Sequence, residues 1–202
     1  MEYLILGFFT GLSLILAIGA QNIFVIEQGL KKQHIFLVCL VCSLSDLILI
    51  FLGIFLFHYF IQYFNSIIEL TLNILLIIFL LHFIYSKIKI YNSSVKLNNQ
   101  SQDISKLNIL LKTLGFTYLN PHVYSDTVFF LGNFSKNFLV YDKIFFGIGA
   151  AIASYTFFFL IGYLSKFLSE YVKSSKVWKI INFFIIIFMV SLILYILFNI
   201  IN

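Results

Sequence analysis

Long apolar runs separated by short polar links make up almost the whole chain. Six runs, about 4–26, 35–57, 67–85, 113–134, 144–164 and 177–201, come near or above the roughly 18–20 residues a helix needs to cross a bilayer. In hydrocarbon every backbone polar group must be satisfied internally. The pattern therefore predicts an all-α integral membrane protein, a single transmembrane domain over 1–202 with six helices. The first run begins at Leu4 with no lysine before it and no clean small-x-small site after it. It is expected to be retained as a span rather than removed as a signal peptide.

Polar positions inside the runs carry the next layer of information. Pro121, the only proline, sits within the fourth run between Asn120 and His122. Proline lacks a backbone N–H and clashes with the preceding turn, so the helix should kink or break there. Near the end of the first run, Gly19-Ala20 is followed by the amides Gln21 and Asn22, which need partners in the protein or a wet cavity. Asp46 lies mid-way along the second run, where insertion costs about 2.5–3.5 kcal/mol. Asp126 follows His122 by four residues, one helical turn, close enough to share a proton if the helix resumes. His58, His82 and Trp178 fall near run ends and read as interfacial, and Glu69 stands near the start of the third run. Gly7-x-x-x-Gly11 and the small residues of run five, Gly147 to Ser154, suit close helix packing.

The polar stretch 87–112 carries five lysines among many Asn, Ser and Gln and reads as a cytoplasmic linker, about 87–108, between halves of about 1–86 and 109–202. Three spans per half force opposite orientations, a 3+3 inverted-topology repeat. Each half then opens with a broken first helix, which points to a binding site at the paired breaks. Broken helices expose N–H groups that favour an anion and C=O groups that favour a cation.

Composition agrees. The chain is 61% hydrophobic and 10% charged, against about a quarter charged in soluble domains. Its formal charge of +5 could suggest nucleic acid, but all thirteen basic residues are lysines, most beside the run ends. Such lysines set orientation. Lys31 and Lys32, the five of the linker, and Lys166, Lys173, Lys176 and Lys179 mark three cytoplasmic links, placing both termini outside. With no arginine, no bidentate fork is available for a substrate carboxylate. No nucleophile motif, phosphate loop or nucleotide fold is visible, so no enzyme, cofactor or resident metal is expected.

Gly11-Leu-Ser-Leu through Ala17-Ile-Gly-Ala-Gln-Asn22 and Gln28-Gly-Leu30, then Val41-Cys-Ser-Leu-Ser-Asp46, then Leu119-Asn-Pro-His-Val-Tyr124 with Asp126-Thr127 and Leu131-Gly132, resemble successive signatures of the lysine/arginine exporter family (LysE/ArgO type). Ser154 to Gly162 and Trp178-Lys-Ile-Ile-Asn182 match its last two spans more loosely. The resemblance implies export of L-lysine or L-arginine across the bacterial cytoplasmic membrane, driven by the membrane potential or an ion gradient, with a proton as candidate coupling ion. By motif it implies substrate-binding roles for Gln21, Asn22, Asp46, Asn120, Pro121, His122 and Asp126. Glu27, Ser125, Ile186 and Val190 depart from the family pattern, the first two near the proposed route.

Two rival functions follow from other residues. Cys39-Leu-Val-Cys42 is formally C-x-x-C, as in a membrane thiol–disulfide carrier, but reactive thiols need a lowered pKa and exposure, and both cysteines lie mid-span on one helix. Export of a neutral amino acid or a metal cation is the other; a metal would need Asp46, His122 and Asp126 to converge. A non-transporting subunit would not need paired polar breaks. For the orientation, a reporter fused after Asn202 is expected to be active outside the cytoplasm; cytoplasmic activity alone would reverse the assignment.

Overall fold

The computed structural model describes residues 1–16, 19–63, 66–92, 105–171 and 175–201, and every regular element among them is helical. The side chains of His58, Glu69 and Trp178 lie outside the described residues. The first run is two helices, α1 (Glu2–Ile15) and α2 (Ala20–Lys31), set at 83° to one another. The second and third are α3 (Ile35–Tyr63) and α4 (Ser66–Asn92). The fourth is α5 (Lys106–Tyr118), α6 (Pro121–Tyr124), a π-helical turn (Ser125–Phe130) and α7 (Leu131–Ser135). The fifth, α8 (Val140–Leu168), ends in a 3-10 turn (Ser169–Tyr171), and α9 (Ser175–Ile201) is the sixth.

Three of these elements, Ile35–Phe57, Val140–Tyr171 and Lys179–Phe198, are long and apolar enough to cross a bilayer unbroken, and α1 with α2 qualifies as one bent span. In α4 the apolar part, Leu70–Tyr85, is shorter than the usual crossing. Helix also extends into both sides of the expected linker. α4 continues to Asn92, and α5 starts at Lys106, where the Ser105 hydroxyl accepts a hydrogen bond from the Asn108 N–H at 3.3 Å. Lysines are good helix formers and need not end a helix as it leaves the membrane. Residues 93–104, the middle of that linker, lie outside the described residues.

Small residues bring the helices together. α1 packs along α8, and a Cβ on Gly11 would lie 2.9 Å from the Cα of Ala150. The Gly7-x-x-x-Gly11 pair and the small face of α8 thus meet each other. α3 packs against the π-turn and α7 in the same manner. A Cβ on Gly53 would lie 2.6 Å from the Cα of Val128, and one on Gly132 2.7 Å from the carbonyl oxygen of Gly53. Cys39 and Cys42 are free and buried, and the Cys39 thiol donates to the Phe158 carbonyl at 3.2 Å. They pack α3 on α8.

The links sort to two ends. Lys32, after α2, pairs with Glu170, after α8, at 3.8 Å. Lys112 of α5 lies within electrostatic reach of Lys31 and Glu27. The three lysine-rich links therefore share one end. At the other end, Tyr3 of α1 meets Phe138, just before α8, with ring centroids 4.9 Å apart.

Where backbone touches backbone, a side chain cannot be accommodated by rotamer change alone, and overpacking typically costs about 1–3 kcal/mol. Gly53→Leu is expected to lower the thermal midpoint of the purified protein in detergent. An unchanged midpoint would show that α3 and the π-turn need not touch there.

Candidate substrate site

Side chains satisfy backbone groups beside both breaks. α1 ends at Leu16, whose N–H donates to the Leu12 carbonyl at 3.0 Å. Across the gap, the Asn22 side-chain amide donates to the Ile15 carbonyl at 3.0 Å. Gly19, in extended conformation (φ −113, ψ 179), caps the N-terminus of α2. In the second break Asn120 is an N-cap of the usual kind, its side-chain oxygen accepting from the His122 N–H at 3.1 Å, with Pro121 at the first helical position. Proline suits that position because its missing N–H has no intrahelical acceptor there. Opposite, the Tyr124 hydroxyl donates to the Tyr118 carbonyl, in the last turn of α5, at 2.9 Å. The proline therefore marks a stop and a capped restart, not a bend in one continuous helix.

Between the breaks lies a cavity of about 340 Å³, within the usual range for small-ligand sites. Gln21, Asn22, Asp46, Asn120, His122 and Asp126 all line it; Pro121 does not, its ring forming the first turn of α6 instead. The remaining lining is mostly apolar, including Leu76, Phe158 and Leu192.

Asp46 is 3% exposed and accepts a hydrogen bond from the Ser154 hydroxyl of α8 at 2.7 Å. Asp126 lies within electrostatic reach of both Asp46 and His122. The Gln21 amide nitrogen is buried beside Asp46 and Cys42, with no partner at hydrogen-bond geometry. His122 is exposed, and its ring stacks on Tyr195 of α9 with centroids 5.9 Å apart. The helix resumes at Pro121 as α6 and continues from Ser125 as a π-turn that holds Asp126; π-turns recur at functional sites. Thr127 donates its hydroxyl to the Val123 carbonyl at 2.5 Å within that turn.

Chemically, the site offers two carboxylates from different spans, neutral amides and an imidazole, in a largely apolar wall. That set suits an organic cation with a further polar group. Among the described residues, no group of three or more His, Cys, Asp or Glu is placed to hold a metal ion. Asp46, His122 and Asp126 thus share the cavity without forming a ligand cluster.

The sequence carries little sign of two contributors, and misplaces a third. Ser154 reads as one of the small packing residues of run five, and its tie to Asp46 spans 108 positions. Tyr195 carries no signal along the chain. Glu27 reads as a link residue, yet α2 runs on to Lys31 and Glu27 is only 1% exposed, paired with Lys31. The i, i+4 spacing of Glu27 and Lys31 was the available clue.

Comparison with known proteins bears on the same segments. A family model described as LysE type translocator matches residues 12–199, which include all seven motif residues. The arginine exporter protein ArgO of Pectobacterium carotovorum subsp. carotovorum is 33% identical over 188 residues, 89% of this chain and 88% of that protein. ArgO of Salmonella paratyphi A is 33% identical over 192 residues, 90% of this chain and 87% of that protein. No solved structure matches. With both breaks and all of the cavity lining but Gly11 inside the matched region, the chain belongs to the LysE type translocator family and is a membrane transporter, not an enzyme.

Proposed function

We propose that this protein exports a basic amino acid, arginine foremost and lysine as the alternative, across the bacterial cytoplasmic membrane through the cavity between its helix breaks. The observation that carries the reading is the pair of carboxylates, Asp46 and Asp126, lining one cavity at the depth of both breaks. Acidic groups at membrane depth are costly and mark cation sites or proton relays. The relatives named as arginine exporters favour arginine.

In this reading Asp46, held by Ser154, and Asp126 face the side-chain cation. With no arginine in the chain, the substrate carboxylate has to rely on amides such as that of Gln21, and on backbone N–H groups at the break. Asp126 and His122 form the candidate proton relay for coupling.

We further infer six crossings in a 3+3 inverted repeat, with both termini outside. Exchanging the halves turns the packing of α1 and α2 on α8 into that of the fourth run on α3, and leaves α3 on α8 and α4 on α9 as they are. The shared end of the three lysine-rich links supports the same topology.

Efflux of labelled arginine, lysine and a neutral amino acid from preloaded cells tests the assignment. Asp46→Asn and Asp126→Asn are each expected to cut arginine export about ten- to a hundredfold, the 1.5–3 kcal/mol of a charge-assisted hydrogen bond. Ser154→Ala should cost less, because the carboxylate stays. Normal export by both Asn variants would remove the carboxylates from the mechanism; no basic amino acid leaving wild-type cells would remove the substrate.

A further inference from the structure

The cavity stops short on the lysine-rich side. Its lining ends at Asn22 on α2, at Leu76 on α4 and at Asn120 where α5 gives way to α6. In the other direction it continues along α1, α7 and α9 to Gly11, Leu131 and Ile196.

Just past each of those three end points stands phenylalanine. Phe24 follows Asn22, Phe79 and Phe83 follow Leu76, and Phe116 precedes Asn120, all about 3–10 Å further along the helix axes at 1.5 Å per residue. The four rings converge. Phe24 stacks on Phe116 with centroids 4.7 Å apart, and Phe79 and Phe83 meet Phe116 edge-on at 4.8 and 5.0 Å. Phe24, Phe83 and Phe116 are buried. Gly115 makes room, since a Cβ there would lie 2.6 Å from the Phe79 ring.

A charged layer follows one turn later. Glu27 of α2 is buried and paired with Lys31, and Lys112 of α5 lies within electrostatic reach of both. The order from cavity to aromatic rings to charges is thus repeated on α2 and α5. The two apolar clusters among the described residues agree. The larger contains Phe24, Phe83 and Phe116, and the smaller lies toward the other end around Ile54, Leu131 and Phe146.

We propose that Phe24, Phe79, Phe83 and Phe116, backed by Glu27 with Lys31 and Lys112, form the cytoplasmic gate of the transporter, closed in this structure. The inference rests on the orientation and transport reading above. A cation leaving the cytoplasm has to pass between α2, α4 and α5, and a cluster of desolvated rings excludes both it and its water. α2 and α5 are the halves of the broken spans on that side. Each break frees them from their outer halves, so hinge movement of the two would part Phe24 from Phe116.

The test is thiol accessibility. A cysteine at cavity-lining Leu14 (Leu14→Cys), in protein carrying Cys39→Ser and Cys42→Ser, is treated with a membrane-impermeant maleimide in right-side-out and inverted vesicles. Labelling is expected from the outer face alone. Phe24→Ala, Phe116→Ala and the milder Glu27→Gln should each raise cytoplasmic-face labelling several-fold, with outer-face labelling retained as the sign of an intact fold. Cytoplasmic-face labelling that stays at baseline in all three, or that equals outer-face labelling before any gate substitution, would overturn the gate. A mirror-image pattern would uphold the gate and overturn the orientation. The readout needs no substrate, so a failed arginine assay would leave it standing.

Discussion

Backbone groups have no water to turn to inside a bilayer, and the architecture follows from how this chain meets that constraint while breaking two helices. Each break would strand carbonyls on one side and N–H groups on the other. Asn22 covers the carbonyl of Ile15, Tyr124 that of Tyr118, and Asn120 the N–H of His122. Asn22 and Asn120 also line the cavity. The amides are therefore structural before they are available to a substrate. Losing one would disturb the break as well as the site.

Packing makes the breaks tolerable. Glycine and alanine let α1 lie against α8, and let the π-turn lie against α3, close enough for backbone contact. In membranes such close approach replaces the hydrophobic drive that assembles soluble cores. α3 packs on α8 as well, and that contact brings Ser154 to the buried carboxylate of Asp46. Stability and site chemistry are coupled there through one contact.

Much of the site was readable along the chain because membrane solvent makes polar residues conspicuous. Asp46, Asn120, His122 and Asp126 stand out in apolar runs, and all line the cavity. Glu27 stands out only as a departure from the family pattern, because at a run end a carboxylate costs little and looks like a solvated link. Its burial depends on α2 continuing to Lys31 and on α5 lying alongside. Helix and linker overlap for a related reason. Lysine marks the edge of the bilayer but does not stop a helix, so α4 and α5 both extend into the stretch that composition assigned to it.

What the amino-acid order alone determined is the solvent, the helical class, the positions of the two breaks and the residues unlikely to be there by chance. These depend on hydropathy over a window and on the backbone chemistry of proline, glycine and asparagine, which act locally. The tertiary structure alone decided that the two breaks open onto one cavity, that Asp46 is held by Ser154 from 108 positions away, and that four phenylalanines meet. It also decided the π-turn at Asp126, where α3 presses Gly53 against Val128. Those features arise from contacts between helices far apart in sequence, and no local pattern encodes which face of one will meet which face of another.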